Sequence, residues 1–155
     1  MNQHATQPDM PMGIAYLVGH LERLVRRRLR EVISPLGLTI QQYTALSVLN
    51  ARGRLSNAQL AERSLITPQS ANELVKTMEK RGWIERTADP SHKRIIHLYL
   101  TTPGKDVLNN AHRAAAAFEE EMLHEIGNAE RQQYRDFLST SIHTLSRTSI
   151  DLLTP

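Results

Sequence analysis

The chain has 155 residues, of which 40% are hydrophobic, and a formal net charge of +3 at neutral pH. This length supports one compact domain or one half of an intertwined dimer. The chain contains no cysteine, which excludes a disulfide framework, a Cys-ligated zinc and a thiol switch. Because it also lacks a signal peptide and a long apolar run, we expect a cytoplasmic protein with no membrane partner.

Two helices are predicted in the N-terminal third, behind a short arm. Residues 1–11 are polar and predict a disordered N-terminal arm. Apolar residues then recur at helical spacing from Ile14 to Ile33, which predicts a long helix that ends before Gly37. Thr39 and Gln42 have the spacing of a capping box, and they predict the start of a second helix.

A helix, a turn and a second helix are predicted next. Ser56 and Gln59 form another capping box. Thr67 is a candidate N-cap for the second helix, and Pro68 occupies its first position, where a missing N–H group is harmless. Gly82 is a natural stop for this helix. Its apolar residues recur at i, i+3, i+4 and i+7 and predict one buried face: Ala71, Leu74, Val75 and Met78.

Two short strands with a basic turn are predicted after the second helix. The first strand covers residues 84–86, and the returning strand runs from Arg94 to Leu100. The turn between them carries His92, Lys93 and Arg94, and an Arg suits the negative potential of a narrow minor groove. This order of helices and strands predicts a mainly α fold with a small β wing, which is a winged helix-turn-helix. Its second helix enters the DNA major groove.

Long helices are predicted to close the chain. One helix begins at Thr102-Pro103 and is expected to break at Gly127-Asn128, and a final helix follows. The helices at both ends of the chain carry more apolar surface than the small winged helix-turn-helix can cover. We therefore expect this surface to be buried against a second copy of the chain.

Positive charge concentrates on the segment assigned to DNA. Residues 52–100 hold nine Lys and Arg against five Asp and Glu, whereas residues 101–155 hold five against eight. This distribution is the electrostatic footprint expected of a DNA-binding head.

The motifs of this segment resemble the MarR family of bacterial transcription regulators. The similarity lies in three runs: Leu65 to Ser70, Glu79 to Arg86, and Asp89 to Gly104. The resemblance implies a two-fold dimer in which residues 12–37 and 101–148 form a helical dimerisation region, and residues 38–100 form the DNA-binding head. The family's wing usually carries an Asp two residues before the tip Arg. This position is His92 here, so either Asp89 supports the wing instead or the tip is looser.

The candidate DNA-binding residues come from the two short helices and the wing: Ser56, Thr67, Pro68, Gln69, Ser70, Asn72, Glu73, Lys76, Lys93 and Arg94. Those of the second helix are expected to read or approach the major groove, because Gln and Asn make bidentate contacts to adenine and Lys reaches guanine or phosphate. Ser56, Thr67 and Lys93 are expected at the backbone, and Arg94 in the minor groove.

The resemblance also implies a small-molecule effector pocket between the head and the dimer helices. Four residues on or beside apolar faces are its candidates: Tyr16, His20, Tyr43 and Met122. The expected function is a homodimeric, ligand-responsive repressor that binds a pseudo-palindromic operator and responds to a phenolic or lipophilic acid.

Other interpretations stay open at this point. A constitutive architectural DNA-binding protein without an effector would share the same head. The run of Arg26 to Arg28 with Arg30 suits either DNA contact or a solvated helix face. Glu120 and His124 are spaced as a helical metal pair, but no second pair accompanies them. An enzyme is disfavoured because no nucleophile–base spacing, phosphate loop or metal motif is present, and neither a cofactor nor a metal is expected.

Overall fold

The order of elements in the computed structural model matches the mainly α fold with a β wing predicted from the sequence. The backbone is described for residues 13–151 and the side chains for residues 13–146. The arm predicted for residues 1–11 lies outside this range. The helices are α1 (Ile14–Ile33), α2 (Ile40–Arg52), α3 (Asn57–Arg63), α4 (Pro68–Lys80), α5 (Thr102–Met122) and α6 (Asn128–Asp151), with a 3-10 turn at Ser34–Leu36. The strands are β1 (Ile84–Ala88) and β2 (Ile96–Leu100).

The chain divides into two compact units. The first runs to Phe118 and holds α1 to α4, the wing and most of α5. The second begins at Glu119 and holds the end of α5 together with α6. No described helix has the length and apolar character required to cross a membrane.

The predicted helix starts are confirmed by the capping hydrogen bonds. The hydroxyl of Thr39 accepts the backbone N–H of Gln42 while the Gln42 side chain accepts the N–H of Thr39, and Ser56 and Gln59 repeat this arrangement. The αL glycine after α4 is also confirmed, since Gly82 has a φ of 72°. These interactions satisfy backbone groups that a helix end leaves unpaired.

The core of the first unit lies where α1, α2, the helix-turn-helix and the wing meet. Its fully enclosed side chains include Ile33, Leu46, Leu60, Met78 and Leu98. The predicted buried face of α4 is confirmed for Ala71, Val75 and Met78, which are at most 1% exposed, whereas its fourth residue, Leu74, is only partly buried against the core. This burial turns the opposite face of α4 towards solvent.

The wing is a two-stranded antiparallel sheet in which Ile84 pairs with Leu100 and Ala88 with Ile96. The returning strand begins at Ile96, so its predicted start at Arg94 is wrong. The N–H of Ile95 donates to the carbonyl of His92, and the N–H of Asp89 donates to the carbonyl of Ile95, which closes a turn before the ladder starts.

The break between the two C-terminal helices lies earlier than predicted. Helix α5 ends at Met122, whereas the sequence placed its end at Gly127-Asn128. The guanidinium of Arg131 donates to the carbonyls of Leu123 and Ile126, at 2.8 and 2.9 Å. This side chain pairs carbonyls that the helix end leaves unsatisfied, so it stabilises the tight turn.

Candidate nucleic-acid interface

Helix α4 is held at its N-terminus by Thr67. The Thr67 hydroxyl oxygen accepts the backbone N–H of Ser70 at 3.1 Å, and the hydroxyl donates to the Ser70 side chain at 2.9 Å. Pro68 follows as the first helical residue. The N-terminal end of the helix is therefore capped at the point where its outward side chains begin.

The outward face of α4 is polar and accessible. All five residues that the sequence assigned to the major groove are exposed: Gln69, Ser70, Asn72, Glu73 and Lys76. Asn72 and Ser70 are engaged by neighbouring side chains, whereas Gln69 and Lys76 have no polar partner within the described part of the chain. This face combines hydrogen-bonding groups with a cation, as a major-groove surface requires.

Helix α3 contacts α4 through a pair of amides that the sequence analysis missed. The Nδ2 group of Asn57 donates to Oδ1 of Asn72 at 2.9 Å. The two residues lie 15 positions apart, so no local pattern marks the contact. Ser56, one residue before Asn57, uses its hydroxyl oxygen to cap α3.

The far end of α4 is tied to the wing and to the end of α1. Arg86 at the base of β1 pairs with Glu79 of α4 at 3.0 Å. Arg81 donates to the carbonyl of Gly37 at 2.6 Å and lies over the ring of Trp83 at 4.8 Å. These contacts connect the end of α4 to β1 and to the segment before α2, and sequence periodicity gives no signal for them.

Asp89 organises the turn of the wing. Its Oδ1 accepts the backbone N–H groups of Ser91 and His92 at 2.8 and 3.0 Å, and its Oδ2 lies 3.0 Å from Nε2 of His97. The N–H of Ser91, the imidazole of His97 and the N–H of His92 hold the pKa of the Asp89 carboxyl below its usual value. The carboxylate therefore shapes the turn that carries the basic tip, and it does so without contacting Arg94.

The tip of the wing presents two cations to solvent. Lys93 and Arg94 are exposed, and neither has an ion-pair partner among the described residues. An unpaired guanidinium on a narrow hairpin keeps all its donors available for a phosphate or a groove edge.

The wing has a third strand-like partner that the sequence analysis did not find. Leu55, in the segment before α3, forms an isolated antiparallel bridge with Leu98, with N–H···O distances of 3.4 and 2.8 Å. Leu55 is buried, and the flanking Arg54 and Ser56 are polar. One apolar residue between polar ones is too short a pattern to predict a strand.

The candidate effector residues occur in separate contacts. Tyr16 stacks on His20 of the same helix with ring centres 6.1 Å apart. Tyr43 meets the ring of His112 edge-on at 5.6 Å. His112, whose Nε2 lies 3.3 Å from the Ser47 hydroxyl, was not among the sequence candidates. In the second unit, Met122 lines a cavity of about 330 Å³ beside Tyr134 and Leu138.

The Arg run on α1 and the Glu120–His124 pair have local ionic partners. Arg26 pairs with Glu22 of the same helix at 2.5 Å. Glu120 pairs with Arg131 at 2.8 Å, and His124 approaches its neighbour Glu125. Within the described residues, no three His, Asp or Glu side chains cluster as metal ligands would.

Comparison with known proteins shows that this arrangement is similar to one family. Residues 36–95 match the MarR family, and this range covers the helix-turn-helix and most of the wing. The HTH-type transcriptional repressor Rv2887 of Mycobacterium tuberculosis is 28% identical over 130 residues, covering 84% of this chain and 92% of the repressor. The multiple antibiotic resistance protein MarR of Escherichia coli is 25% identical over 104 residues, covering 67% and 71% of the two chains.

Solved structures show the same fold. A mutant of E. coli MarR complexed with operator DNA has a TM-score of 0.72 at 20% identity, covering 82% of this chain and 91% of that one. The M. tuberculosis protein Rv2887 in complex with salicylic acid has a TM-score of 0.69 at 26% identity, covering 83% and 95%. Together with the exposed face of α4 and the basic wing, these similarities identify the chain as a winged helix-turn-helix, DNA-binding transcription regulator whose residues 36–95 match the MarR family.

Proposed function

We propose that the chain acts as a homodimeric repressor that binds a pseudo-palindromic operator and releases it on binding a phenolic or lipophilic acid. The observation that carries the DNA-binding part is the juxtaposition of an exposed polar face on α4 with an unpaired basic wing tip. The face would enter the major groove, and Arg94 would reach the adjacent minor groove.

Exposed apolar residues on the terminal helices support the dimer. On α1 in the first unit, Ile14 is 80% exposed and Val18 is 48% exposed. On α6 in the second unit, Phe137 and Leu145 are both 69% exposed. Helix faces of this kind are unfavourable in water, and a second copy of the chain would cover them.

The ligand response rests on the relatives. The similar protein of M. tuberculosis is named a repressor and has been crystallised with salicylic acid. In this chain, the candidates of the first unit, Tyr16, His20 and Tyr43, would provide apolar surface for a ring. The contact between Tyr43 and His112 adds an imidazole that can pair with a carboxylate.

A DNA titration in the presence of salicylate tests the ligand response. We expect the dissociation constant for the operator to rise with sodium salicylate at fixed ionic strength, with sodium chloride as the matched control. Because the two binding equilibria are linked, a saturating concentration of operator DNA should lower the affinity for salicylate by the same factor. Operator affinity that is unchanged by a panel of phenolic and lipophilic acids would favour the architectural DNA-binding alternative.

A further inference from the structure

The amide pair that joins α3 to α4 has a defined polarity. Asn57 donates through Nδ2 to Oδ1 of Asn72 at 2.9 Å. The other end of the Asn57 amide, its Oδ1, is enclosed and has no hydrogen-bond partner among residues 13–146. The Asn72 side chain lies on the exposed face of α4 that the proposed function assigns to the major groove.

Reversing both amides would be unfavourable. The Asn57 carbonyl would then accept from Asn72, and the Asn57 NH₂ group would move into the enclosed position. Two buried N–H donors, each of which needs an acceptor, would then replace one carbonyl oxygen. Orphaned buried N–H groups are rarer in proteins than under-satisfied carbonyls, so the observed orientation leaves unpaired the group that proteins tolerate better.

This polarity determines which groups Asn72 offers to DNA. Its Oδ1 is held by Asn57, and its Nδ2 keeps both N–H donors for the groove. In the major groove, guanine presents two neighbouring acceptors, N7 and O6, whereas cytosine presents the N4 donor. Adenine presents one acceptor and one donor, which suits a freely rotating Asn better than one fixed by a neighbour.

We propose that Asn57 is a positioning residue that fixes the amide of Asn72 so that its NH₂ group faces the major groove and selects guanine at one operator position. The proposal rests on α4 reading DNA as described under the proposed function. Asn57 itself contacts no base.

The test compares base preferences, not absolute affinities. An operator selected from random duplex DNA is bound by the full-length chain, and competition measures the relative affinity of every single-base-pair variant. The wild type should prefer guanine roughly tenfold at one position, a discrimination within the range of a paired amide contact. Asn72→Ala should abolish that preference and leave the other positions unchanged.

Two substitutions of Asn57 then test whether this residue acts by positioning the Asn72 amide. Asn57→Ala frees the Asn72 amide to rotate, so the guanine preference at the same position should fall and adenine should be bound relatively better. Asn57→Asp offers only acceptors, so the Asn72 NH₂ group should turn towards it and the Asn72 oxygen should face the groove. The preferred base should then change to one with a donor, cytosine or adenine.

Ala58→Asp is the matched control for the added charge, because Ala58 is the next residue of α3 and is exposed. It should lower affinity for all operators alike and keep the guanine preference. If Asn57→Asp fails to fold, Asn57→Ala alone decides: a lost guanine preference supports the proposal.

The contrary outcomes are distinct. If both Asn57 variants keep the wild-type base preferences while Asn72→Ala loses the guanine preference, Asn57 has no positioning role. Helix α4 would still read DNA in that case. Wild-type preferences in Asn72→Ala would overturn the base contact itself. Equal binding of every operator variant by the wild-type chain would contradict sequence-specific DNA binding, and with it the proposed function.

Discussion

Neighbouring side chains in the wing have different physical roles. Asp89 is committed to internal hydrogen bonds that shape the turn, whereas Lys93 and Arg94 are exposed and unpaired within the described residues. An Arg presents five donors in a rigid fork and a Lys presents a compact charge, so the two tip residues should contribute differently to DNA binding.

Replacing Arg94 with Ala should weaken operator binding by about 1–3 kcal/mol and relax specificity at A·T-rich positions beside the half-sites. The reason is that the guanidinium responds to minor-groove width. Titration at fixed salt measures the effect. Lys93→Ala is the comparison, since loss of a phosphate contact should lower affinity for all sequences alike and reduce the salt slope. An Arg94→Ala protein with wild-type operator affinity would show that the tip does not engage DNA.

At the scale of elements, the wing depends on one carboxylate. Asp89 accepts two backbone N–H groups of its own turn and faces His97, and these partners favour the charged carboxylate over the neutral acid. These hydrogen bonds stabilise the turn that connects the two strands and carries the basic tip.

The lowered pKa of Asp89 predicts how the wing responds to acid. Its contribution to stability should be fully present above the ordinary pKa of Asp and lost as pH falls through the lower pKa of the folded state. A carboxyl-carbon NMR titration should place its midpoint below that of Asp in an unfolded peptide. The amide signals of Ser91 and His92 should shift with the same midpoint in the wild type but not in Asp89→Asn. A midpoint at or above the peptide value would contradict this account of the turn.

The sequence predicted those features of the fold that local chemistry determines. Thr39, Ser56, Thr67 and Gly82 act through backbone groups within four residues of themselves, so their patterns identified the helix ends correctly. The buried face of α4 was predicted for the same reason, because its period is a local property.

Features that depend on distant contacts were not predictable. The end of α5 depends on Arg131, which lies in the next helix, and the Asn57–Asn72 pair joins residues from two helices. Leu65 adopts a left-handed φ of 55° in the turn before α4, a conformation that Leu rarely takes, and its side chain is 93% exposed. The closed geometry of the helix-turn-helix imposes this conformation against the local preference of the residue.

At the scale of the whole molecule, apolar faces on α1 and on α6 are exposed within their own units. If a second copy of the chain covers these faces, the affinity for DNA depends on dimerisation. A regulator of this kind would bind weakly as one head and tightly as two, because each head supplies only half of the contacts.

Ile142→Asp should therefore separate the dimer. Ile142 is 65% exposed in the single chain, so the substitution leaves the packing within the unit intact but would bury a charge at the dimer contact. Sedimentation should show a monomer at concentrations where the wild type is a dimer, and operator affinity should fall. Thr140→Asp adds the same charge on the opposite side of α6 and should remain dimeric. A dimeric Ile142→Asp protein would remove α6 from the proposed interface.

The spacing of the two half-sites tests the central claim most directly. A two-fold dimer presents the same recognition helix twice, about one helical turn or roughly 34–36 Å apart, so the operator must present its half-site twice. Inserting about 5 base pairs rotates one half-site to the opposite face of the duplex. We predict that affinity for the inserted operator falls to the level of non-specific DNA, while the salt-dependent phosphate contribution survives. Equal affinity for the native and the inserted operators would show that each head binds alone and would contradict the dimeric regulator.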